Sequence, residues 1–244
     1  LADGSDEAHG FVEKICMAAA KKDGRIKYKK LEKNGGISAN TNACLEMATG
    51  EYISLFDHDD ILHPYALFET MNAICNDGTD FIYTDEATFK SPNLHNISFV
   101  NFKPDFAPDY LNSINYICHF TSFKKNLLKD DNQFDSNCDG ANDYDMILRL
   151  TEKASCIKHI PKCLYYWRAS ASSTASNYEA KSYTSDAGKL ALEKHFNRMT
   201  PLECRNARFR IKRVNRYREC RLVIVGVVGN HLTYFQLVKT FAVN

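Results

Sequence analysis

Tyr52-Ile53-Ser54-Leu55-Phe56-Asp57-His58-Asp59-Asp60 is a short apolar run that ends in three aspartates within four positions. A run of this length reads as a buried strand of a parallel sheet, although periodicity alone does not separate it from a buried helix. In open α/β sheets, ligands bind beyond the carboxyl ends of the strands. Carboxylates gathered there repel one another unless a cation or a hydrogen-bond network holds them. Hard oxygen ligands at this spacing suit Mg2+ or Mn2+ bound together with phosphates. The stretch points to metal-assisted chemistry on a phosphorylated substrate.

Strands and helices alternate on both sides of it. Upstream, Phe11, Ile15 and Ala18-Ala19-Ala20 have helical spacing, and Gly24 ends the segment. Ile26 to Leu31 alternates like a lysine-rich edge strand. Asn34-Gly35-Gly36 is a turn running into a helix that stops near Gly50. Downstream, a helix begins around Pro64, and Asp80 to Thr84 is a strand ending in Asp85-Glu86. This order predicts a βαβ sheet to about residue 90. Lys90 to Asn115 carries three prolines and reads as loop, and Tyr116 to Phe123 as strand. Asp143 to Lys153 is an amphipathic helix, Ile157 to Ile160 and Leu164 to Trp167 are short strands, and Tyr178 to Phe196 is a long helix. Ala169 to Ser176 is small and polar and reads as a mobile segment.

Composition bounds the function. The 244 residues suffice for one large domain, and 44% hydrophobic with 25% charged residues is ordinary for a globular chain. A formal net charge of +1 argues against a nucleic-acid binder driven by bulk electrostatics. No apolar run is long enough to span a bilayer. The nine cysteines include no C-x-x-C pair, and Cys156 and Cys163 fit neither a zinc knuckle nor a redox motif. They read as reduced, mostly buried thiols of a cytoplasmic protein. Leu1-Ala2-Asp3-Gly4-Ser5-Asp6 opens on turn chemistry with no strand before it, so a fragment lacking its first N-terminal strand is expected. Residues 1–204 read as one domain. Residues 205–244 are a basic linker and β-type tail, read as the start of a second domain or as a filler for the empty sheet position.

Four motifs occur in order: Asp3-Gly4-Ser5, Gly35 to Asn42, Asp57-His58-Asp59-Asp60, and Asn142-Asp143-Tyr144-Asp145. With the late His159-Ile160-Pro161 and Leu164 to Arg168 stretch, they resemble the family 2 inverting glycosyltransferases, over roughly residues 1 to 200. The nearest likeness is to bacterial enzymes that build rhamnose-rich and other surface polysaccharides. The resemblance implies an α/β, Rossmann-like GT-A fold, a mixed sheet flanked by helices that binds a nucleotide sugar. It implies a UDP- or dTDP-sugar donor, a carbohydrate or lipid-linked saccharide acceptor, and work at the inner face of the plasma membrane with peripheral membrane contact. Asp59 would ligate the metal, with Asp57 on the metal or the ribose, while His58 would point away if the strand pleat continued. Asp60 and its neighbours capping the next helix is the plainer reading.

The resemblance assigns Asp3 to the base and ribose, and a turn residue is the alternative. Asn34 and Asn40 would meet the donor at a helix N-terminus, where a plain helix start explains the glycines equally well. Asp143 is the candidate general base, since an attacking hydroxyl must lose its proton. The family pattern has Glu-Asp or Gln-Asp there, and Asn142 departs from it. Asp85, Asp145, Trp167 and Arg168 are candidates for acceptor or diphosphate contacts, against solvated loop carboxylates and a core tryptophan. Relatives place a further histidine ligand near Tyr166 to Ser170, where this chain has none. Two rivals stand beside this reading: a fragment that binds nucleotide without turnover, and a nucleotidyltransferase, whose basic glycine-rich loop is missing. A haloacid dehalogenase-type phosphatase would need a threonine where Ile61 stands.

Overall fold

The computed structural model describes residues 1–90, 94–128, 133–169, 180–199, 224–228 and 231–235. Ten strands and six helices occur in these residues: β1 (Ala2–Asp3), α1 (Phe11–Lys22), β2 (Lys29–Lys30), α2 (Ile37–Met47), β3 (Tyr52–Ser54), β4 (Ile61–Leu62), α3 (Ala66–Asp77), β5 (Phe81–Phe89), β6 (Ile97–Asn101), α4 (Pro108–Leu111), β7 (Thr121–Lys124), α5 (Asn142–Lys153), β8 (Ile157–Arg168), α6 (Ala180–Arg198), β9 (Ile224–Val228) and β10 (His231–Phe235). Two compact units result, Leu1–Glu193 and Lys194–Asn244. The second contains the antiparallel hairpin β9–β10.

In the first unit, six strands form one mixed sheet in the order β3-β7-β5-β8-β4, with β6 on β5. β5 is its axis, because Phe81, Ile82 and Tyr83 are wholly buried and present apolar side chains to both faces. The expected βαβ pairing of β3 with β5 does not form. β7 lies between them, antiparallel to both, and only the β5–β8 pair of this sheet is parallel. β1 and β2 make a separate parallel pair. A two-residue strand therefore does precede the Asp3 turn, and the predicted strand at Ile26 to Leu31 shortens to Lys29–Lys30.

Two cores flank the sheet. The larger joins Phe81, Tyr83 and Phe123 to Met146, Ile147 and Leu150 of α5 and to Ala187 and Ala191 of α6. The smaller joins Ile82, Phe120, Ile160 and Tyr165 to Ala66 and Ala73 of α3. Each large side chain so buried contributes about 1.5–3 kcal/mol. α3 ends where Gly78 takes a left-handed conformation (φ 64°), which closes the last turn. α5 is buried beyond its apolar stripe, from Tyr144 through Leu150.

Three further expectations change. Lys90 to Asn115 contains β6 and the short α4 rather than loop alone. The two strands after Ile157 are one, β8, with a register shift where Pro161 and Lys162 have no β5 partner. Of the seven described cysteines, all free thiols, only Cys138 is fully buried. The Ala169 to Ser176 segment falls, apart from Ala169, outside the described residues. No described helix is long and apolar enough to cross a membrane.

Candidate active site

The aspartate cluster leaves the sheet at the end of β3. The strand stops at Ser54, so the pleat does not continue, and Asp57, His58 and Asp59 all lie exposed on a turn. Asp60 folds back and is buried. It caps no helix: its carboxylate accepts a short hydrogen bond from the Tyr165 hydroxyl and one of 2.7 Å from the Arg168 backbone N–H. Burial raises the Asp60 carboxyl above its ordinary range, these two donors oppose that, and Asp57 and Asp59 add to it. Arg168 adds a third tie, its Nε donating to the Asp59 carbonyl at 2.6 Å, while its guanidinium lies 4.4 Å from the Phe89 ring centre. The Asp57 N–H reaches the Tyr165 hydroxyl at 3.4 Å. The loop is thus pinned to the end of β8 and offers two free carboxylates to solvent.

Asp143 stands at the first turn of α5. Its Oδ2 accepts from Asn115 Nδ2 at 3.0 Å and its Oδ1 from the Tyr144 N–H at 2.8 Å. Desolvation raises its pKa above the carboxylate norm, His119 counteracts this, and Asp57 adds to it. Asp57 and Asp143 are linked by a chain of contacts: the Asp57 N–H lies on the Tyr165 hydroxyl, Tyr165 stacks on His119, and Asn115, four residues before His119, bonds Asp143. The His119 ring stacks on Tyr165 at 4.8 Å, joining the two halves.

Asp3 lies at the end of β1, buried, and accepts from the Ser5 N–H at 2.8 Å, the Tyr28 hydroxyl at 2.9 Å and Lys30 Nζ at 3.1 Å. The Ser5 hydrogen bonds above all, with Tyr28 and Lys30 behind them, hold its carboxyl well below the usual range. The Tyr28 phenol is pushed up to about 12, by desolvation first and Asp3 second. Asn34 Oδ1 accepts from the Gly36 N–H and from Asn40 Nδ2, and Asn40 Oδ1 accepts from the Gly35 N–H at 3.3 Å. The two asparagines knot the turn before α2, where Gly36 has φ 88°. That turn abuts the Asp3 turn so closely that a Cβ on Gly4 would lie 2.8 Å from Asn34 Cα.

The other candidates sit elsewhere. Asp85 is inside the sheet, accepting from the Lys103 N–H at 2.9 Å and bonded to His159 Nε2 at 2.9 Å. Asp145 is buried in an ion pair with Arg149 at 2.7 Å. Neither is presented to an acceptor, because each carboxylate meets its partner inside the fold. Trp167 is partly buried against the smaller core, the core role weighed for it from sequence. Arg168 alone of these four joins the aspartate loop. Tyr165, Asn115, His119 and the clamp role of Asp60 escaped sequence reasoning. Asn115 and His119 fall in or beside a stretch that reads as strand, and no local pattern marks them.

Among the described residues no group of three or more His, Cys, Asp or Glu is placed to hold a metal ion. Two exposed carboxylates, Asp57 and Asp59, still fit a hard cation that completes its shell with water and diphosphate oxygens.

An acidic loop follows β3 and an aspartate stands at the start of α5 on a mixed sheet flanked by helices, and comparison with known proteins gives the class of this architecture. Residues 2–131 match the model of Glycosyl transferase family 2, and the chain belongs to that family. It is 38% identical to an uncharacterized protein, y4gI, of Sinorhizobium fredii over 192 residues, 78% of this chain and 21% of that protein. It is 30% identical to the O-antigen biosynthesis protein RfbC of Myxococcus xanthus over 197 residues, 80% of this chain and 15% of that one. The chain thus spans about a fifth or less of these relatives. In structure it is similar to Staphylococcus aureus TarS solved with UDP-GlcNAc, with a TM-score of 0.55 and 18% identity over 86% of this chain and 66% of that one. The mannosyltransferase PcManGT of Pyrobaculum calidifontis, solved with GDP-Man and Mn2+, gives 0.50 and 15% over 85% of this chain and 55% of that one. The fold is GT-A.

Proposed function

We propose that this chain transfers a sugar from a UDP- or dTDP-linked donor to a carbohydrate acceptor in bacterial surface polysaccharide synthesis, with inversion at the anomeric carbon. The observation that carries the reading is the contact chain from the exposed acidic loop at Asp57 through Tyr165 and His119 to the loop whose Asn115 bonds Asp143. Family membership and the naming of RfbC as an O-antigen biosynthesis protein support the substrate class.

In this mechanism Asp57 and Asp59 would hold Mg2+ or Mn2+, which would supply charge neutralisation for the departing diphosphate. Asp3, with Asn34 and Asn40 on the adjoining turn, faces the nucleoside, and Arg168 orders the loop that carries the acidic pair. Asp143 takes the proton from the acceptor hydroxyl as its oxygen attacks the anomeric carbon. The bond from that carbon to the diphosphate oxygen breaks, and the electron pair leaves with the diphosphate. A raised pKa makes Asp143 a stronger base than an ordinary carboxylate. No covalent sugar–enzyme intermediate is needed.

Calorimetric titration with UDP and with dTDP, with and without Mn2+, tests the donor half. Binding that needs both the cation and Asp59, judged with Asp59→Ala, supports the reading and identifies the base. Metal-independent binding, or binding that survives Asp59→Ala, overturns the metal assignment. Nucleotide binding without turnover would favour a non-catalytic domain.

A further inference from the structure

Lys103 is a buried cation that the mechanism above does not use. Its side chain is wholly inaccessible, and its ammonium donates to the Ile117 carbonyl at 2.5 Å, to the His119 carbonyl, and to Glu86 Oε2 at 3.3 Å. An ammonium has three N–H donors, so each is used. Glu86 Oε2 also accepts from the His119 N–H at 3.3 Å, and Asn101 Nδ2 donates to Oε1 at 3.2 Å. The pair therefore grips both the N–H and the C=O of a single residue, His119.

The segment it grips is not self-supporting. Cys118 has φ 38°, a left-handed conformation that a non-glycine residue adopts only when its surroundings impose it. On one side of that residue stands Asn115, whose Oδ1 accepts from the Cys118 N–H at 3.4 Å and whose Nδ2 donates to Asp143. On the other stands His119, whose ring stacks on Tyr165 and which opposes the rise of the Asp143 carboxyl. Buried ion pairs are poor sources of net stability, and apolar residues of similar volume often do as well. A geometric role accounts better for this one, which bonds both backbone groups of His119.

We propose that Lys103 and Glu86 are positioning residues that hold the 115–119 loop so that Asn115 and His119 face Asp143. The proposal rests on Asp143 being the base. The pair touches no reacting atom and acts through the loop. Lys103 reaches this place from β6, whose pairing with β5 sets Glu86 opposite Asn101.

The test compares wild type with Lys103→Met and with the double variant Lys103→Met/Glu86→Gln, which leaves no lone buried charge if the single variant fails to fold. Hydrogen exchange should quicken about tenfold or more at the Cys118 and His119 amides, the scale of a lost charge-assisted bond, while the Ile82 and Tyr83 amides keep their protection. Asp143, followed by carboxyl carbon NMR, should titrate higher once His119, which opposes the rise, withdraws. Unchanged exchange in the loop, exchange raised equally along β5, or an unmoved Asp143 titration would each overturn the proposal. Asp143→Asn, run in parallel for turnover, separates the two ideas. Full activity in that variant defeats the base assignment whatever the loop does.

Discussion

Tyr165→Phe removes one oxygen and tests whether the acidic loop is held from β8. The ring is fully buried, stacked on His119 and Phe120 and edge-on to Phe56, and phenylalanine keeps all of that packing. Burial, with the Asp60 carboxylate behind it, drives the Tyr165 phenol far above its ordinary pKa, so this hydroxyl is the donor in the Asp60 bond. A hydrogen bond to a charged group is worth about 1.5–3 kcal/mol. At about 2–4 °C per kcal/mol for a domain of this size, the melting temperature should fall by roughly 3–12 °C at pH 7. If nucleotide binding must re-order the loop at the same cost, affinity for UDP or dTDP with Mn2+ should fall roughly 10- to 150-fold.

The pH dependence carries a sign. The Asp60 carboxyl is raised above 3.8 in the folded chain, so its contribution is fully present below about pH 4 and is lost as pH rises through the folded value. Removing the hydroxyl raises that value further. The gap in melting temperature between the two proteins should therefore close at acid pH and open as pH rises. Differential scanning calorimetry and nucleotide titration read all three quantities. Equal melting temperatures at pH 7 would refute the clamp, and a lowered one with unchanged affinity would sever it from the binding loop.

Two other predictions concern the turns at Gly4 and Asn34, proposed above to face the nucleoside. Gly4→Ala places a Cβ 2.8 Å from Asn34 Cα, a backbone atom that cannot swing aside, so urea unfolding should show a loss of about 1–3 kcal/mol with weaker nucleotide binding; wild-type stability would mean the turns are not in contact. Asp3→Asn removes a carboxyl held below its unfolded value of 3.8. Stability from that group is present above about pH 4 and lost below it, so the variant should show a shallower fall in melting temperature between about pH 4 and pH 2. Identical acid slopes would disprove the Ser5, Tyr28 and Lys30 account.

Legibility from sequence followed the range of the interactions. The strand before Asp57, the turn at Gly35-Gly36, the helix after Pro64 and the helix carrying Asp143 were all readable, because local chemistry marks each one. β6 was not, because the alternation of Ile97, Ser98 and Phe99 is too short to stand out, all three are exposed, and prolines flank the segment. β8 read as two strands because Pro161 interrupts it, yet proline is tolerated where the register slips and no ladder donor is needed. The clamp on Asp60 and the grip on His119 were invisible for a different reason. Their donors lie far away in the chain, and nothing beside Asp60 announces Tyr165 or Arg168. Asp85 and Asp145 misled because a carboxylate at a strand or helix end looks alike whether it faces solvent or buried partners inside the fold.

The ties that pin the acidic loop have a cost in time. Tyr165 and Arg168 lie 105 to 109 residues beyond the residues they hold. At about 5–20 residues per second, a ribosome needs roughly 5–20 s to deliver them after the loop has been made. Through that interval Asp57, Asp59 and Asp60 have no β8 to rest on, and three neighbouring negative charges repel one another. The acidic loop thus gains these ties only after β8 is made, and a chain halted before residue 168 would carry its acidic motif complete in sequence but without them.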